Sequence, residues 1–231
     1  MRRALPKGVY AIADGPAVLE LVQAFVKGGA SVVQLRMKAA SGFGLRASGR
    51  GTGEMLEVAR EARRICKDAL LFINDRPDVA RLCGADGVHL GQEDLPLAEA
   101  RAIVGPEMII GLSTHSDEEI DAAKAADYVG FGPIFATQSK PFATLPAPHG
   151  IEGLRRAVLR SKVPVVAIGG ITASNAAAVA AAGACCVAAI AALCRAPDPE
   201  KATRELGDAF DSGFRPEARS PKPEAASKAP P

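Results

Sequence analysis

Gln34, Arg36 and Lys38 alternate along one short apolar run, and their i, i+2, i+4 spacing places all three side chains on one face of a strand. Two cations and an amide aimed the same way are costly to bury without an anionic partner, so an oligophosphate is the natural guest. The plainer reading is a solvated strand end. Two further strand-like runs end in Asn74-Asp75-Arg76-Pro77 and in His89-Leu90-Gly91-Gln92-Glu93-Asp94. Asp75 and Asp94 offer hard oxygen ligands and Asn74 a neutral donor. Such a set suits Mg²⁺, which takes one or two carboxylates and completes its shell with water and substrate phosphate. Each aspartate also has a purely structural use, Asp75 as the N-cap of the next helix and Asp94 in a turn before Leu95-Pro96.

Gly111-Leu112-Ser113-Thr114-His115 brings together a hydroxyl pair and an imidazole able to bind phosphate or shuttle a proton, although Ser116 followed by acidic residues also suits a helix start. His89 and His115 read as structural, and the three scattered histidines lack zinc spacing. Thr137, Ser139 and Lys140 fall within four positions and form a compact anion-binding set that can fold over a ligand; the alternative is an ordinary polar loop. Gly169-Gly170 lets backbone N–H groups approach a phosphate closely. No Ser-His-Asp or Cys-His arrangement stands out.

These residues need a scaffold that brings strand ends together. From about residue 8 to 210, β-branched runs alternate with Ala-rich helical stretches, the pattern of repeated βα units around a parallel sheet. Eight runs qualify as strands, beginning near Gly8, Ser31, Leu70, Asp86, Met108, Asp127, Pro164 and Cys185. Because both faces of such strands are covered, they are expected to be continuously apolar. Helices are expected from Ala17, Glu54, Pro77, Leu97, Asp117, Ile151, Ser174 and Pro199, with Ser116 and Thr172 or Ser174 as N-caps. Eight units favour an α/β fold of the (β/α)₈ TIM-barrel type over a doubly wound open sheet, which would need a reversal of strand order. In a barrel the eight loops after the strands converge on one mouth, where all the polar residues above would meet. The expected layout is one catalytic domain over 1–211. Residues 39–53, rich in Gly and Ser, are expected to form a mobile loop, and 212–231 a disordered C-terminal tail.

Composition narrows the function classes. The net charge of +2 and the absence of a basic stripe give no support to a nucleic-acid partner. No apolar run approaches the roughly 18 residues of a membrane span, and the N-terminus lacks a signal-peptide pattern, so a cytoplasmic protein is expected. Five cysteines, odd in number and without C-x-x-C spacing, read as buried thiols. Oligomeric state stays open, with a homo-oligomer among the options.

The segments VVQLRMK, INDRPDVA, GADGVHLGQEDLP, GLSTH, DYVGFGPIFATQSK and VPVVAIGGIT, in this order, resemble the thiamine phosphate synthase family over about residues 8 to 193. The resemblance implies a Mg²⁺-dependent transferase. It would join hydroxymethylpyrimidine diphosphate to a thiazole phosphate by dissociative substitution, giving thiamine monophosphate and pyrophosphate. It further implies that Gln34, Arg36, Lys38 and Asn74 contact the pyrimidine diphosphate and that Asp75 and Asp94 hold the metal. Ser113, Thr137, Ser139 and Lys140 would serve the diphosphate and its flap, while Gly170, Ile190 and Ala191 would form the thiazole-phosphate pocket. Lys38, Ser113 and Lys140 make up the implied catalytic set. The chain departs from the family pattern at Ala191, where a hydroxyl is usual, at Cys185-Cys186, where Asp-Gly is usual, at Ser139, and in the long segment after Lys38. A thiazole tautomerase-like isomerase and a non-catalytic thiamine-phosphate binder are the rival functions.

Overall fold

The computed structural model describes residues 4–37, 51–137 and 147–214; the expected loop over 39–53 lies outside them except for 51–53, of which 52 and 53 are helical, and the expected tail over 212–231 except for 212–214. Eight strands, β1 (Gly8–Asp14), β2 (Val32–Arg36), β3 (Leu70–Asn74), β4 (Gly87–Leu90), β5 (Ile109–Thr114), β6 (Tyr128–Phe131), β7 (Val165–Ile168) and β8 (Cys186–Ala189), pair in sequence order. All pairings are parallel, and β8 pairs with β1 to close the barrel. Around it run α1 (Val18–Lys27), α2 (Thr52–Ile65), α3 (Pro77–Cys83), α4 (Leu97–Val104), α5 (Asp117–Ala122), α6 (Gly150–Arg160) and α7 (Ala173–Ala181). α8 (Ala191–Cys194) and α9 (Pro199–Ser212) follow the last strand.

Strand periodicity sorts the side chains into two layers. On β2, Val33 and Leu35 point outward into the layer between sheet and helices, while Val32 belongs to the barrel interior. The interior is built on three aromatic rings from alternate regions of the wall, Tyr10, Phe72 and Tyr128, with centroids 5.7 to 6.0 Å apart. Glycines on neighbouring strands make room for them. A Cβ at Gly87 would lie 2.3 Å from the Phe72 ring, and one at Gly111 would lie 2.0 Å from that of Tyr128. The barrel is therefore filled by large-against-small packing, and its strands are not uniformly apolar, since Gln34 and His89 lie on them as well.

The helices bury one stripe each. α1 buries Val18, Val22 and Phe25 at helical spacing, and α9 buries Thr203, Leu206 and Phe210. α9 starts at an Asp198 cap that accepts the Lys201 N–H at 2.9 Å, and it runs through Ser212. Ser116 caps α5, and Thr172, with Asn175, forms the capping box of α7; Ser174 is not the cap. α2 begins at Thr52, two residues before the sequence pattern suggests. Of the five thiols, Cys66, Cys83 and Cys186 are buried, whereas Cys185 and Cys194 are only partly so.

Candidate active site

At the end of β2, parallel register places Arg36 beside Asp14, the last residue of β1, and the two side chains form an ion pair. Gln34 is 2% exposed and its Nε2 donates to the Tyr10 hydroxyl at 2.8 Å. The charge and amide expected to need an anionic guest thus have partners inside the fold. Lys38 lies outside the described residues.

Asn74 closes β3 opposite His89 on β4. Asp75 follows with φ of +61°, and its N–H donates to the His89 carbonyl at 2.9 Å. It does not cap α3: Arg76 occupies that position, and its guanidinium binds Asp78 at 2.6 Å. A left-handed aspartate costs about 1–3 kcal/mol, a strain that persists where the surroundings impose it and that clusters at functional sites. Asp94 does act in the turn after β4, accepting the Gly91 N–H at 2.7 Å with Oδ2. Both aspartates are partly exposed oxygen donors at the ends of adjacent strands, and their chemistry fits a hard divalent cation. Among the described residues no group of three or more His, Cys, Asp or Glu side chains could hold a metal. An ion carried by these two aspartates would complete its shell with water and phosphate oxygens.

The hydroxyl pair on β5 divides its roles. Thr114 is fully buried and donates to the Gly130 carbonyl at 3.2 Å, a bond within the wall. Ser113 turns toward the interior, 3.0 Å from His89 Nε2. His89 Nδ1 is 2.8 Å from the Tyr128 hydroxyl, which is 2.8 Å from that of Tyr10. Burial pushes both phenols well above their ordinary range, so they stay protonated at any working pH. His115 is held by Glu119, which accepts from its backbone N–H at 2.6 Å and lies 3.1 Å from Nδ1.

A cavity of about 450 Å³ opens at the C-terminal ends of β5 to β8. Arg36, Ser113, Thr137, Gly170, Ile190 and Ala191 line it; Gln34, Asn74, Asp75 and Asp94 do not. Ser139 and Lys140 fall outside the described residues. Its floor is apolar, from Pro133, Ile168, Ile171 and Ala188, while Arg36 and Arg195 are its charged lining residues and no carboxylate of the described residues joins them. Gly170 has φ of +65°, and a Cβ there would stand 2.4 Å from the Ala136 carbonyl oxygen. Asn175 Nδ2 ties down the Gly170 carbonyl at 3.0 Å, and its Oδ1 accepts the Thr172 N–H. Before α6, His149 packs tilted against Phe131 with centroids 4.5 Å apart, and burial holds its imidazole below the usual range.

Sequence reading missed Asp14, Arg195, Asn175 and the two tyrosines. Asp14 was within reach, because it is a polar residue at the end of a strand. The tyrosines carried no signal, since an aromatic in an apolar run reads as core.

The chain matches the family described as thiamine monophosphate synthase over residues 9–193. It is 42% identical over 216 residues to the thiamine-phosphate synthase of Anaeromyxobacter dehalogenans, covering 92% of this chain and 91% of that protein. Identity to the thiamine-phosphate synthase of Solidesulfovibrio magneticus is 48% over 196 residues, or 83% of this chain and 87% of that one. Among solved structures, a thiamine phosphate pyrophosphorylase from Pyrococcus furiosus is similar at a TM-score of 0.77 and 37% identity, covering 90% of this chain and 97% of that one. A 3-hexulose-6-phosphate synthase shares the fold at a TM-score of 0.64 and 20% identity, over 87% of this chain and 99% of that one.

Proposed function

The chain belongs to the thiamine monophosphate synthase family, and on that premise we propose that it joins hydroxymethylpyrimidine diphosphate to thiazole phosphate. In this reaction the bond between the pyrimidine methylene carbon and the diphosphate oxygen breaks, and a bond from that carbon to the thiazole ring nitrogen forms. Pyrophosphate leaves with the bonding electron pair, and thiamine monophosphate remains. The observation that carries the reading is the cavity whose charged lining residues are Arg36 and Arg195, with an apolar floor and the glycine turn after β7.

In this reading the amino-substituted pyrimidine stabilises the positive charge left on its methylene carbon, so no covalent nucleophile is needed. The protein's task is to hold the two substrates in line and to absorb charge growing on the leaving group. Arg36, Ser113, Lys38 and Lys140 would bind diphosphate oxygens, with Gln34 and Asn74 toward the pyrimidine. Thr137 and Ser139 would close over the anion. The N–H groups at Gly170, Ile190 and Ala191 would receive the thiazole phosphate, the usual anion position of this fold after the seventh and eighth strands. The loss of a hydroxyl at Ala191 would remove one side-chain contact and leave those backbone donors in place. Asp75 and Asp94 would hold Mg²⁺, which when bound supplies positive charge to the departing diphosphate. Free thiols on five cysteines are in keeping with a reducing cytoplasm. No helix of the described residues is long and apolar enough to cross a membrane.

The test is formation of thiamine monophosphate and pyrophosphate from the two substrates, with and without Mg²⁺. Turnover that requires both substrates is expected. Stabilisation by thiamine monophosphate without turnover would make the protein a binder, and isomerisation of the thiazole precursor without pyrophosphate release would make it a tautomerase.

A further inference from the structure

Five polar groups run in unbroken hydrogen-bond contact from β2 across the barrel interior to the cavity: Gln34, Tyr10, Tyr128, His89 and Ser113. Proton counting gives the chain a direction. The atom of Gln34 that faces Tyr10 is Nε2, which only donates, so the Tyr10 oxygen accepts. Tyr10 then has one proton, and the remaining described acceptor beside it is the Tyr128 oxygen. Tyr128 in turn must give its proton to His89 Nδ1. A neutral imidazole that accepts at Nδ1 carries its hydrogen on Nε2, which faces Ser113 Oγ at 3.0 Å. Ser113 therefore receives a hydrogen bond from the interior and keeps its own proton for the cavity it lines.

We propose that Tyr10, Tyr128 and His89 are positioning residues that fix His89 as the Nε2–H tautomer, making Ser113 a hydrogen-bond donor toward an anionic oxygen in the mouth. With the opposite direction, Ser113 would spend its proton on His89 and present only lone pairs, which repel a diphosphate. The scaffold is built around the chain: Gly111, two residues before Ser113, leaves the space that the Tyr128 ring fills, and a Cβ at Gly130 would stand 3.1 Å from the His89 ring. Both phenols are fully buried, so water does not compete for their protons. The inference deepens the synthase reading and rests on it for the identity of the anion. The direction of the chain belongs to the free protein.

The ¹⁵N shifts of the histidines decide that direction in substrate-free protein, with the His89 signals assigned by their loss in His89→Gln. A protonated Nε2 and a bare Nδ1 at neutral pH are expected. A Nδ1–H tautomer or an imidazolium overturns the proposal, whether or not the enzyme is active. In kinetics, Tyr128→Phe keeps the ring and removes the link. It should lower kcat by about 10–100-fold, as when one preorganised donor is loosened, with little change in either KM. Applied on top of Ser113→Ala, the same change should cost nothing more; equal losses in both backgrounds would show that Tyr128 does not act through Ser113. Should the wild-type protein release no pyrophosphate, the synthase reading fails while the tautomer measurement still decides this one.

Discussion

Glycine and cysteine show most directly how single residues bear on the site. Gly170 holds a left-handed backbone with the Ala136 carbonyl and Phe135 pressed against its missing side chain. Gly170→Ala must therefore shift the loop after β6 and costs about 1–3 kcal/mol in backbone strain alone. Its expected signature is a KM for thiazole phosphate raised by about tenfold or more, while that for the pyrimidine diphosphate changes less; steady-state kinetics in each substrate check it. The thiols differ sharply from one another. Burial pushes Cys66 up to about 12, whereas the neighbouring Cys186 thiol and the Lys7 ammonium hold the partly exposed Cys185 below the ordinary thiol range. Because the thiolate is the reactive form, Cys185 should be alkylated first and at a lower pH than a free thiol, with Cys66 inert in the folded protein. Mass-spectrometric mapping of iodoacetamide labelling across pH tests the order.

The elements reveal a device used twice around the bottom of the barrel. Asp86, just before β4, accepts the Leu71 N–H of β3 at 2.9 Å and pairs with Arg63 of α2. Asp127, just before β6, accepts the Ile110 N–H of β5 at 2.8 Å and pairs with Arg101 of α4. Each aspartate locks two strands and a helix together at the face opposite the chemistry, where residues serve stability. The matching place before β8 holds Cys185, whose thiol lies 3.9 Å from the Leu5 carbonyl oxygen and cannot recruit an arginine in the same way. Asp127→Ala should therefore lower stability by about 1–3 kcal/mol, the cost of an orphaned buried donor, with each kcal/mol worth about 2–4 °C in Tm at this size. Thermal unfolding measures the loss, and an unchanged kcat/KM would locate the effect away from the mouth. The device was not visible in the primary structure because Asp86 and Asp127 look like ordinary loop residues until strand register brings them against their neighbours.

At the scale of the whole molecule, barrel closure assembles the mouth from segments as distant as Asp14 and Arg195. Asp75 and Asp94 follow β3 and β4, next to the β5–β8 cavity in strand order, and do not line it. If they carry Mg²⁺ for the diphosphate, substrate must reach from the cavity to these strand ends. Asp75→Ala and Asp94→Ala should each cut activity by about a hundredfold or more and raise the Mg²⁺ concentration needed for half-maximal rate. Their fold and thiazole-phosphate binding should stay intact. A Mg²⁺ titration of activity, paired with calorimetry of thiazole-phosphate binding, separates the two effects.

The eight-unit rhythm, the helix stripes, the caps at Ser116 and Thr172 and the polar strand ends are local features, written in hydrophobic period and residue type, and a linear reading recovers them. Family motifs are short strings and equally legible. Partner choice is different in kind. Asp14 meets Arg36 through strand register, Thr114 and Ser113 part company through the alternation of the pleat, and Tyr10 reaches Tyr128 across 118 residues of chain. The direction of the hydrogen-bond chain that ends at Ser113 depends on which atoms closure brings within 3.0 Å, and no spacing along the chain encodes that.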